Sequence, residues 1–183
     1  MGVRHSGQIL SYNKMLGRLQ DAGNTTTLAR YLELLSRVGM VAGLEKYSGS
    51  FIQIRRSSPK LNVLNTAYVG AFSDLTFEQA RADRIFWGRL VESGVGAHLL
   101  NTAQIDGTRV YYWKRRYSEV NFVLQRGTHL VAVEVKSGQQ IRSARGLGEF
   151  LRKFPTARRL VVGATGVPLS EFLGAPSGHW AEE

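Results

Sequence analysis

Alternation of apolar and polar side chains is clearest over residues 117–138, YSEVNFVLQRGTHLVAVEVKSG. Glu119, Asn121 and Val123 alternate with Val120, Phe122 and Leu124, the period-2 pattern of a strand. The tetrapeptide Gln125-Arg126-Gly127-Thr128 supplies a turn, with Gly127 suited to positive φ. A second strand is predicted over 130–135, and Glu134 and Lys136, two apart, project to one face. Upstream, 77–101 reads as helix with a break before Trp87; Ile85, Phe86, Leu90, Val91, Val95, Leu99 and Leu100 are its apolar positions. Asp106-Gly107 marks a turn, and 109–114, RVYYWK, is a further strand. Downstream, 141–154 is predicted helical and is stopped by Pro155, with Arg142, Arg145, Arg152 and Lys153 exposed. Residues 159–164 form a buried strand by composition, and the tail from Thr165, with Gly174, Pro176, Ser177 and Gly178, reads as loose. Helix, three strands, helix, strand predicts a small mixed sheet flanked by helices.

The pattern before residue 67 is different. Residues 1–10 carry little signal. A short helix is predicted over 11–20, with Met15, Leu16 and Leu19 on one side, and Asp21-Ala22-Gly23-Asn24 breaks it. A second helix runs over 25–38, capped by Asn24 or Thr25 and ended by Gly39; Leu28, Tyr31, Leu32, Leu35 and Val38 are its predicted buried face. Two β-like runs follow at 40–47 and 51–56, joined by Ser48-Gly49-Ser50, and 59–66 is a short extended connector. Helix, turn, helix and hairpin make a winged helix-turn-helix pattern, so 1–66 is read as one domain and 67–183 as another. In such a domain the second helix enters the major groove, which brings Thr25, Thr26, Thr27 and Arg30 to base edges, with Arg55 and Arg56 on the wing against phosphate. Winged helices also dock proteins, and an outward Glu33 counts against DNA.

Composition narrows the classes. The 183 residues are 43% hydrophobic, enough for one or two domains with real cores. The formal net charge is +10; residues 1–75 hold nine Lys/Arg against four acids and 76–183 fifteen against ten, so both parts are basic. A basic excess spread through folded sequence suggests a polyanionic partner, most often nucleic acid. No run has the length and apolarity of a membrane helix, no apolar signal core opens the chain, and the cytoplasm is the expected compartment. Without cysteine there is no disulfide and no Cys-ligated zinc. The four histidines, His5, His98, His129 and His179, have no ligand spacing.

The candidate chemistry sits on Glu134 and Lys136. A carboxylate beside an ammonium at the end of an apolar strand reads either as a solvent-facing ion pair or as part of a hydrolytic Mg²⁺ site. Glu92, in the apolar run WGRLVESGVGAHLL, is a second ligand candidate; its alternative is a surface pair with Arg89. Asn121 shares the neighbourhood by strand register. Lys114, Arg115 and Arg116, following Tyr111, Tyr112 and Trp113, form a candidate nucleic-acid surface, although aromatic strands more often pack a core.

The Glu92 helix, the SEVNFVL and VAVEVKSG strands and the following helix–strand unit resemble the PD-(D/E)XK nuclease superfamily. With PKLNVLNTA, residues from about 11 to 175 look like the C-terminal region, known as DUF4143, of a group of bacterial and archaeal AAA+-type ATPases. The resemblance implies an α/β (α+β mixed) chain, a winged helix followed by an α-β-β-β-α-β nuclease-like core. It also implies an ATPase domain elsewhere in a longer protein, as a partner; the sequence itself has no Gly-x-x-x-x-Gly-Lys-Ser/Thr and so no P-loop for ATP. The family's commoner strand reads Glu-Val-Asp-Phe and its earlier segment Pro-Lys-x-x-x-x-Asp; Asn121 and Asn65 stand at those positions. An amide can ligate Mg²⁺ but brings no charge, so the site reads as degenerate, with Glu119 one strand repeat away. The first expectation is a nucleic-acid-binding or regulatory module that does not cut. An active Mg²⁺-dependent nuclease, with Glu92, Glu134 and Asn121 at the ion and Lys136 at the attacking water, is the second. A protein-docking module is the third.

Overall fold

The computed structural model describes residues 6, 7, 9, 24–49, 58–138, 145–163 and 166–182. The described chain runs α1 (Thr25–Arg37), β1 (Val41–Lys46), β2 (Lys60–Val63), α2 (Ala67–Ala71), α3 (Phe77–Ala82), α4 (Arg84–Asp106), β3 (Arg109–Arg115), β4 (Ser118–Arg126) and β5 (His129–Lys136). It continues through α5 (Arg145–Lys153), β6 (Arg158–Gly163), α6 (Leu169–Leu173) and α7 (Ser177–Glu182). This is a mixed α/β fold around one six-stranded sheet of order β2-β1-β3-β4-β5-β6. The β1/β2, β3/β4 and β4/β5 pairs are antiparallel; β1/β3 and β5/β6 are parallel.

Two cores lie on opposite sides of the sheet. Strand alternation sends Tyr112, Phe122, Leu124, Val131 and Val133 against Val95 and Leu99 of α4 and against Phe172 and Trp180 of the last two helices. Tyr111, Trp113, Leu130 and Ala132 face the other way, onto Leu147 and Phe150 of α5. The aromatic strand 111–113 is therefore core on both faces. A register shift between Tyr111 and Trp113 sets Val123 opposite the first and Val120 opposite the second, so β4 carries an extra residue around Asn121.

Local chemistry explains where the elements stop. Asn24 caps α1, its side chain accepting the Thr27 N–H at 3.0 Å. The predicted break before Trp87 falls at Asp83, which ends α3 and caps α4 by accepting from Ile85 and Phe86. Gly107, at φ 75°, closes α4 in the left-handed conformation that glycine takes without strain.

Three expectations are corrected. The tail is not loose: α6 and α7 pack on the sheet, Phe172 and Trp180 stack with centroids 5.1 Å apart, and the Trp180 indole donates to the Phe172 carbonyl. The predicted buried face of α1 is too wide: Leu28 is buried and Leu32 and Leu35 are half-buried, as expected, but Tyr31 and Val38 are 55% and 68% exposed. The connector at 59–66 contains strand β2, buried at all four positions. Gly7 and Ile9, from the stretch that carries little signal, lie along that strand: Gly7 N–H donates to Leu61 O, and Ile9 bridges Lys60. The strands on either side of the expected boundary at residue 66 belong to one sheet. The helix at 11–20 and the wing run 51–56, with Arg55 and Arg56, lie outside the described residues.

Candidate functional site

Lys60 follows Pro59 into β2, and its side chain is wholly buried, which an ammonium tolerates only with counter-charges. Its Nζ donates to Glu92 Oε1 of α4 at 2.6 Å, to Glu119 Oε1 of β4 at 3.1 Å and to the Asn121 carbonyl at 3.4 Å. It also stands 5.4 Å from the centre of the Phe122 ring. Lys114 Nζ reaches the other Glu119 oxygen at 3.3 Å. Burial alone depresses the Lys60 pKa; the charges and hydrogen bonds of Glu92 and Glu119 outweigh it and hold the pKa above its ordinary value. Glu92 thus meets a lysine from a distant strand instead of Arg89.

Glu134 and Lys136 do share a face, and they pair at 2.6 Å with both side chains largely buried. Alternation along β5 puts them on the side of Leu130 and Ala132, towards α5, whereas the Lys60 cluster lies over Phe122 on the α4 side. Asn121 has its carboxamide committed: Oδ1 accepts the Val135 N–H at 2.9 Å, just past the last backbone pair, Phe122 with Val133. Asn65, the other position where the family pattern has Asp, accepts the Ala67 N–H at the start of α2.

The three residues expected to hold a metal are therefore distributed among three arrangements. Among the described residues no three of His, Cys, Asp or Glu are grouped to hold a metal ion. Where two carboxylates do converge, an ammonium already stands between them and supplies the compensating charge. The pair Glu92 and Glu119 does not fit a Mg²⁺ ion, which would have to displace the buried Lys60 from both carboxylates.

The predicted basic residues fare differently. Thr26 and Arg30 are exposed on α1 and Thr25 is partly so. Lys114 is spent on Glu119, but Arg115 and Arg116 are exposed at the turn between β3 and β4. That turn forms one wall of a cleft of about 530 Å³, and Tyr117 stands on it. The other wall is the outer face of α5, where Arg145, Glu149 and Arg152 recur at helical spacing beside Lys153. Five cations thus face one acid, Glu149, which is itself bonded to Arg145. The walls meet because α5 lies directly on β4: a Cβ at Gly146 would run into the Glu119 carbonyl. Sequence reasoning missed Lys60 and Tyr117. The signal for Lys60 was a charge at the start of the extended run KLNV; nothing in the sequence singles out Tyr117 from its aromatic neighbours.

Residues 87–171 match the family model described as a domain of unknown function, DUF4143. Neither curated proteins nor solved structures give a match to the chain.

Proposed function

We propose that this chain is a nucleic-acid-binding module with a nuclease-like fold that does not cut, of the kind attached to AAA+-type ATPases. The observation that carries the proposal is the cleft between the β3–β4 turn and α5, where Arg115, Arg116, Arg145, Arg152 and Lys153 outnumber Glu149. The +10 charge supplies the long-range attraction for a polyanion. The want of a metal fit is accounted for by the lysine between Glu92 and Glu119 and by the committed amide of Asn121. On this reading the winged-helix segment adds Thr25, Thr26 and Arg30 as a second contact, and the ATPase domain of the longer protein is the other partner.

Binding to labelled DNA, measured by anisotropy at two salt concentrations, tests this. The wild type binds with affinity that falls steeply as salt rises. Arg115→Glu/Arg116→Glu weakens binding and reduces the slope of log K against log salt by roughly 2, about 0.9 per lost phosphate contact. In parallel, Mg²⁺ and Mn²⁺ are supplied with DNA to the wild type and to Asn121→Asp and Glu134→Ala. Cleavage by the wild type that disappears in Glu134→Ala would make the protein an active nuclease and end the non-cutting reading. A second reading, docking onto the ATPase domain without nucleic acid, draws on the exposed apolar side chains of Phe72, Phe77 and Ile85. It takes over if no nucleic acid binds at low salt.

A further inference from the structure

We infer that the basic cleft takes single-stranded nucleic acid, with Tyr117 as a platform on which one unpaired base stacks. The inference rests on the nucleic-acid reading and specifies its substrate. A two-residue turn, Arg116 and Tyr117, links β3 to β4 between the paired residues Arg115 and Ser118. Tyr117 is 94% exposed, whereas Tyr111, Tyr112 and Trp113, within β3, are buried. An aromatic ring held out at a two-residue hairpin turn contributes nothing to the core, yet keeps its apolar face open to a partner.

The backbone supports the same conclusion. Arg116 is the one described non-glycine residue with positive φ, at 52°. Arginine has no preference for that conformation, and a glycine there would fit the hairpin better. Arginine at this position adds a cation to the cleft that Tyr117 and the cations of α5 also line. Cations on both walls track a phosphate backbone while the ring takes a base, the combination that binds single strands without sequence preference. A duplex offers its phosphates to the same cations, but its bases are stacked on one another and closed to a lone ring.

The test uses the whole chain and fluorescent oligo(dT) and oligo(U) of about 15 nucleotides, a length within known single-strand site sizes, beside a duplex of equal length. The wild type prefers the single strands. Tyr117→Ala weakens single-strand binding about tenfold, towards the lower end of what one stacked base contributes, and leaves duplex binding within about twofold. Tyr117→Trp restores the loss. The oligo(dT) and oligo(U) arms tell DNA from RNA. Equal losses on single strand and duplex, or no loss at all, overturn the stacking role while leaving the nucleic-acid reading standing. Absence of binding to any of the three overturns both. Since Tyr117 packs against nothing in the core, an unchanged melting temperature in the variants shows that the fold is intact.

Discussion

Replacing Lys60 by methionine removes the cation that two glutamates share while keeping most of the side-chain volume. Breaking a buried ion pair by deleting one partner typically costs about 3–5 kcal/mol, because the remaining charge is left uncompensated. Here two carboxylates lose their counter-ion together, but their side chains are 21% and 32% exposed and take up water once it leaves. The lower end, about 3 kcal/mol, is therefore expected. For a chain of this size each kcal/mol moves the melting temperature by about 2–4 °C, so a drop of roughly 6–12 °C follows. Denaturant unfolding of wild type and Lys60→Met measures it, the midpoint falling and the slope staying constant. The pH dependence has a definite sign. Lys60 has a folded pKa above the ordinary 10.5, so its contribution is complete below that value and is lost as pH rises through the folded pKa. The difference between the two proteins accordingly holds steady from neutral pH up towards the folded pKa and closes in strong alkali. A loss under about 1 kcal/mol at neutral pH would mean that dehydrating the ammonium cancels its attraction to Glu92 and Glu119, and the argument from burial would fail.

Gly146→Ala drives a methyl group against the Glu119 carbonyl and forces α5 away from β4. Overpacking of this kind costs about 1–3 kcal/mol, only partly offset by better helix propensity, and it widens the cleft; unchanged melting and unchanged DNA affinity would show that α5 does not need the close approach. Asp106 ties α7 to the end of α4, accepting from Ser177 at 3.0 Å and from Gly178 at 2.6 Å, with a further bond from Thr108. Burial raises its pKa but these hydrogen bonds prevail and lower it, so its contribution is present above the ordinary 3.8 and is lost as pH falls through the folded value. Asp106→Asn should cost about 1–2 kcal/mol at pH 7 and almost nothing in acid below both values; a cost independent of pH would contradict the assignment.

The central strands were legible because their pattern is local: period-2 alternation from Glu119 to Leu124 and a glycine turn are written within a few residues. The shared face of Glu134 and Lys136 followed from the same period. What could not be read depends on distant partners. Lys60 and Glu92 are far apart in sequence, and neither announces the other. The buried face of α1 was drawn too wide, taking in Tyr31 and Val38 beside Leu28, Leu32 and Leu35, because the period gives a face's direction while its width is decided by what packs there. The tail misled through composition: glycine, proline and serine read as loop, yet Gly178 is what lets Asp106 reach the α7 backbone, since a Cβ there would meet that carboxylate. Likewise the extra residue in β4 around Asn121, whose Oδ1 accepts from Val135, left no mark on the alternation.

The short extended segments at the two ends of the sheet have a further consequence. A strand at a sheet margin presents unpaired N–H and C=O groups that can recruit a strand from another molecule. On the β2 side, Gly7 and Ile9 occupy that margin through the bond to Leu61 and the bridge to Lys60. On the β6 side, Val167 bridges Val162, donating to Val161 and accepting from Gly163. Part of each margin of the six-stranded sheet is thus occupied by a few residues of the same chain. Trimming either segment would expose more of that margin as a template for intermolecular pairing, so loss of these inconspicuous stretches is expected to favour self-association.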